Sequence, residues 1–225
     1  MKHFIAVLVV LCCFSSILHA QELYSLGATA LSRDDANDLD KSYEEMVPLP
    51  TSANFEGGMS INGSDFKNEG TFASEGMAET YAFTPSTSDT VEILFRIFPD
   101  PLHIGQEADI AVTVAYVDFN TVLMSTLMGA PPSDLAENVK FFMLDSDHNI
   151  LLLPRPFGGQ HLVPLRKMIL QSSQDIPLYK GRLAEGFLMI NCYYRLPDGY
   201  ILVNSRPLFI FVLPSDLSLL SGFLG

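Results

Sequence analysis

The chain has 225 residues, 48% of them hydrophobic, with no Trp and three Cys. Its 26 Asp and Glu against 13 Lys and Arg leave a net charge of −13, with the acids most crowded over residues 21–90. Such a surface repels nucleic acid and anionic membranes, so neither is an expected partner, and solubility is the simplest use of the charge.

In chain order, Lys2, the unbroken apolar run from Phe4 to Phe14 and the Leu18-His19-Ala20 end have the three-part form of a secretory signal. Residues 1–20 are therefore expected to be cleaved, which makes the mature protein secreted or periplasmic. The run is shorter than the roughly 20 apolar residues of a membrane span. Leu11 before Cys12 does not suit a lipid-modified cysteine either. Beyond the signal only Cys192 remains, so no internal disulfide is possible. Its neighbours, Phe187 to Tyr194, read as a strand, which makes Cys192 a small buried hydrophobe and not a nucleophile.

Residues 21–52 carry Asp34, Asp35, Asp38, Asp40, Glu44 and Glu45 and close on Pro48 and Pro50. They are expected to form a flexible acidic leader, too polar to offset its chain entropy. From Ala53 short strands take over. Phe55 to Gly63 alternates weakly and ends in Asn-Gly, a turn dipeptide, and an edge strand is expected at Glu79 to Phe83. Val91 to Phe98 and Ile110 to Tyr116 alternate at strand period. Thr121 to Ser133, within the 118–135 segment, is an apolar stretch ending in Pro131-Pro132 and reads as a loop or short helix. Val139 to Leu144 and Ile150 to Leu153 flank the turn-forming Asp145-Ser146-Asp147-His148-Asn149 as a hairpin. Further strands are expected near Leu165 to Leu170, Ile176 to Tyr179, Gly186 to Arg195, Tyr200 to Val203 and Leu208 to Leu213. Leu196-Pro197-Asp198-Gly199 joins Gly186 to Arg195 with Tyr200 to Val203.

Short strands with frequent turns and no long helix predict an all-β domain over residues 53–214, an antiparallel β-sandwich of the immunoglobulin-like kind. The immunoglobulin Trp and core Cys pair are absent, and an outer-membrane barrel is disfavoured by the lack of Trp for aromatic girdles. Residues 215–225, with Leu217, Leu219, Leu220, Phe223 and Leu224, form an apolar tail expected to fold back on the domain or dock on a partner. The strings Pro101 to Ile110 (PLHIGQEADI), Phe141 to Ile150 and Gly181 to Pro207 resemble recurring motifs of a β-sandwich domain, without assigned chemistry, found in large secreted proteins of bacteria. That resemblance implies a secreted sandwich module and brings no catalytic residues.

Motifs of established chemistry fit the chain poorly. Asp145 to Asn149 begins like an EF-hand loop, but Ile150 stands where Gly is needed and Pro156 where Glu is needed. His103, His148 and His161 have no zinc-ligand spacing. Gly58-Met59-Ser60-Ile61-Asn62 lacks the second Gly of a nucleophile elbow. No catalytic residue, cofactor or metal is assigned. The expectation is a non-enzymatic module for binding, adhesion or assembly, with a protein or glycan partner at the cell surface or in the periplasm. A carbohydrate-binding module, stacking sugars on Tyr194, Tyr200 and Phe157, is the specific alternative. A secreted hydrolase is the rival class.

Overall fold

The structure, a computed structural model, describes residues 23–31, 49–64, 66, 71–72, 80–121, 138–153 and 159–215. The expected signal peptide, Phe157, most of the 118–135 segment and the tail beyond Ser215 lie outside the described residues. The fold is all-β and its sheets are mainly antiparallel. The strands are β1 (Tyr24–Gly27), β2 (Thr29–Leu31), β3 (Asn54–Ile61), β4 (Thr71–Phe72), β5 (Thr80–Phe83), β6 (Val91–Phe98), β7 (Glu107–Val117), β8 (Lys140–Leu144), β9 (Ile150–Leu152), β10 (Arg166–Ile169), β11 (Gln174–Gly181), β12 (Gly186–Arg195), β13 (Ile201–Val203) and β14 (Leu208–Val212).

The first sheet has the order β1-β3-β6-β11, and the second runs β4-β5-β14-β12-β7-β8-β9, with β10 on β7, and β13 and β2 continuing from β12. Alternation explains the layering. On β6, Val91, Ile93, Phe95 and Ile97 point into the shared core, while Glu92 and Arg96 face water. There Arg96 pairs with Asp175 at 2.6 Å and Lys180 with Glu92 at 3.0 Å, both across to β11. The core is completed from the second sheet by Ile110, Val112, Ile190, Cys192, Tyr194, Leu208 and Ile210, all buried.

Two expectations are corrected. Part of the supposed leader is structured: β1 pairs with β3, β2 pairs with β13, and Leu26, Ala30 and Leu31 are buried. Leu26 enters the core because Gly57 opposite has no side chain; a Cβ there would lie 2.8 Å from the Leu26 methyl. The dense acids begin only at Asp34, beyond these strands, so a single composition for 21–52 averages two different segments. The second correction is that β5 runs parallel to β14, Phe209 opposite Ala82, against a mainly antiparallel plan.

The second sheet also buries part of its outer face. Leu31, Ala111, Met143, Leu153, Leu162, Tyr193, Ile201 and Val203 form a smaller cluster there. Burial pushes the Tyr193 phenol up to about 12, and its hydroxyl shares a hydrogen bond of 3.1 Å with Thr113 Oγ1.

Candidate functional site

The two ends of β7 carry different environments. At its start, Asp100 caps the short 3-10 turn Pro101–His103 by accepting from the Leu102 N–H at 3.1 Å. The same carboxylate accepts from the Ser52 N–H, the Ser52 hydroxyl and the Thr51 hydroxyl, at 3.0, 3.0 and 3.2 Å. These donors, the Ser52 and Leu102 N–H groups first, hold its pKa at about 2. Beside it His103 Nδ1 lies 2.9 Å from the Tyr194 hydroxyl, which also accepts from the Asp100 N–H at 3.3 Å. The Tyr194 ring stacks on Phe55 with centroids 6.0 Å apart, and the His103 ring meets both Tyr194 and Tyr200 edge-on. Every polar atom named in this knot has a partner within the chain.

Two of the three expected sugar-stacking residues, Tyr194 and Tyr200, do come together, around His103. Tyr194, however, is fully buried, and its phenol is driven up by burial. Its ring has no face for a sugar, because it points inward from β12 and fills the gap between the two sheets. Tyr200 is half-buried against the core cluster. The 145–149 turn likewise serves itself: Asp145 accepts from the Asp147 and Asn149 N–H groups at 2.9 and 2.8 Å and from the Asn149 amide at 3.0 Å. Cys192 is fully buried, and burial raises its thiol far above the ordinary range, which disfavours the thiolate.

At the other end of β7 the sheets part. The first sheet stops at β11, but the second continues past β7 through β8 and β9. The inner face of that extension therefore has no sheet opposite it. Val114 pairs with Phe142, and Phe142 and Leu144 pair with Leu152 and Ile150, so all five lie on one face. Ile150 and Leu152 are 67% and 66% exposed. Between this face and β11 runs a groove of about 440 Å³. It is lined by Ile93 and Leu178 of the first sheet, by Val112, Val114, Leu188 and Ile190 of the second, by the β8–β9 hairpin, and by residues 182–184 of the turn into β12.

The groove's polar atoms are mostly spent. The Tyr116 hydroxyl donates to the Glu185 carbonyl at 2.8 Å, and the Tyr179 hydroxyl donates to the Arg182 carbonyl at 2.6 Å. These bonds pin the 182–185 turn across the groove's mouth. Gly186 permits the close approach: its φ is 137°, and a Cβ would lie 2.5 Å from the Val117 carbonyl and 2.6 Å from the Tyr116 ring. Among the described residues Arg182 is the one charged lining residue, and it is exposed.

No family model matches this chain, and no curated protein matches it. The site thus stands on its own chemistry: an apolar trough in a range of volumes common for small-ligand sites, with one cation at its rim.

No motif of known chemistry announces the groove, yet the sequence holds a signal for it. Phe141-Phe142-Met143-Leu144 and Ile150-Leu151-Leu152-Leu153 show no polar alternation. A strand apolar on both faces asks for cover on both. The outer-face residues Met143 and Leu153 receive it from Leu162 and its neighbours, whereas the inner-face residues Ile150 and Leu152 stay open.

Proposed function

We propose that the chain is an exported, non-enzymatic binding module built on an immunoglobulin-like β-sandwich, and that the groove between β11 and the β8–β9 hairpin is its binding surface. The carrying observation is the uncovered apolar face of Val114, Phe142, Leu144, Ile150 and Leu152. Leaving such surface in water is unfavourable by about 25 cal/mol for each Å², so a ligand that covers it gains that term. Three carboxylates have local structural work: Asp100 and Asp145 as described, and Asp118 accepting from both the N–H and the hydroxyl of Thr121. The likeness of Pro101 to Ile110 and Gly181 to Pro207 to secreted bacterial sandwich domains supports export of a sandwich module.

The test is a titration with the uncharged fluorophore N-phenyl-1-naphthylamine. One saturable site per chain is expected, abolished by Ile150→Asp with the fold intact by circular dichroism. Turnover of an ester, peptide or glycoside substrate that a single Asp or His substitution abolishes would overturn the non-enzymatic reading.

A further inference from the structure

We infer that the groove takes a single-chain fatty carboxylate, its alkyl chain lying along β7 and its head group on Arg182. This rests on the groove being the binding surface and names what occupies it. Three observations carry it. First, the interior is hydrocarbon: Val112, Val114, Leu178, Leu188 and Ile190 line it, and the Tyr116 and Tyr179 hydroxyls are already committed to backbone carbonyls. A ligand with polar groups along its length would leave them unpaired there. An alkyl chain has none.

Second, among the described lining residues Arg182 alone is charged, and among the described residues no ion pair engages its guanidinium. Of the described acids, Asp118 and Glu185 lie near enough to act on the Tyr116 phenol in the lining. Asp118 lies at this end with its carboxylate bonded to Thr121 and offset by Lys140. Glu185 contributes its carbonyl to Tyr116 and is absent from the lining. A carboxylate emerging from the groove mouth therefore meets a cation that no described acid engages.

Third, the neighbouring strand edge disfavours an extended peptide. β11 carries Pro177 in its middle, which offers no N–H, and its register slips between Pro177 and Tyr179. Pro and irregularity on an edge are devices against added strands. A partner that needs no main-chain pairing suits this wall better.

The experiment is calorimetric titration of the purified protein with straight-chain carboxylates of eight to twelve carbons, and with the alcohols of equal length. Binding of one chain per protein is expected, with the dissociation constant falling about fourfold for each added methylene. Arg182→Glu should weaken the carboxylates about fivefold and leave the alcohols unchanged. Ile150→Asp should weaken both. A dissociation constant indifferent to chain length, or carboxylates and alcohols affected alike by Arg182→Glu, overturns the proposal. If the fluorophore binds the groove but no carboxylate displaces it, the fatty ligand is wrong and the groove still stands as the binding surface. If neither binds, both readings fall.

Discussion

The two ends of β7 are built from the same strands and differ in what is left over. At the Glu107 end, Asp100, His103, Tyr194 and the Thr51-Ser52 pair satisfy one another, and the first sheet covers the second. At the Val117 end, the second sheet outruns the first, and apolar side chains line a trough that the described chain does not fill. A closed, internally satisfied polar knot holds the fold. An open apolar face with one rim cation has surplus to offer a ligand. The contrast assigns stability to one end of the strand and binding to the other.

The largest expected effect is at the closed end. Tyr194→Ala removes a fully buried ring stacked on Phe55 and should cost about 3–5 kcal/mol in urea unfolding. Tyr194→Phe keeps the ring but strips the hydroxyl from His103 and the Asp100 N–H, at about 1–3 kcal/mol. A loss below about 1 kcal/mol for Tyr194→Ala would deny that this end is the structural one.

Gly186→Ala sharpens the contrast from the other side. It places a Cβ against the Val117 carbonyl at a φ of 137°, and should cost about 1–3 kcal/mol while loosening the turn that Tyr116 pins. Binding of the fluorophore should weaken with it. Full stability with unchanged binding would show that the turn does not shape the groove.

A pH series isolates Asp100. Its folded pKa is depressed from 3.8 to about 2, so the folded protein holds this proton less tightly than the unfolded chain. Its contribution is therefore complete above about pH 4 and is lost as pH falls through 2. The difference in melting temperature between the protein and Asp100→Asn should shrink over that window. A constant difference would mean that the carboxylate charge is not what the Ser52 and Leu102 N–H groups hold.

The smallest effect belongs to the open end. Ile150 is mostly exposed, so Ile150→Asp should shift stability by no more than about 0.5 kcal/mol, measured by the same urea unfolding. A core-like loss there would mean that the position is already covered in the free protein.

Most of the strands are legible in the sequence, because their patterns are local. Val91 to Phe98 alternates residue by residue, and Gly186 to Arg195 matches β12 at both ends. β1 and β2 escape such a reading because they are short, and their burial is decided by distant partners, the bare Gly57 for Leu26 and β13 for Leu31. No pattern in Tyr24 to Leu31 reports that a glycine on another strand leaves Leu26 room. Tyr194 shows the same limit at the site. Its alternation announces a strand aromatic, but only the packing of one sheet on the other decides whether the ring is core or surface. The groove is half legible: two strands without a polar face require two covers, and nothing in their residues says that the first sheet ends short of them.

The most direct measurement is a methyl NMR map of the isotope-labelled protein titrated with the twelve-carbon carboxylate. The account predicts saturable shifts at Val112, Val114, Leu144, Ile150, Leu188 and Ile190, with Ile97 and Ile110, packed at the closed end, unmoved. Shifts centred on Ile97 and Ile110, or no saturable shift at any of these methyls, would contradict it.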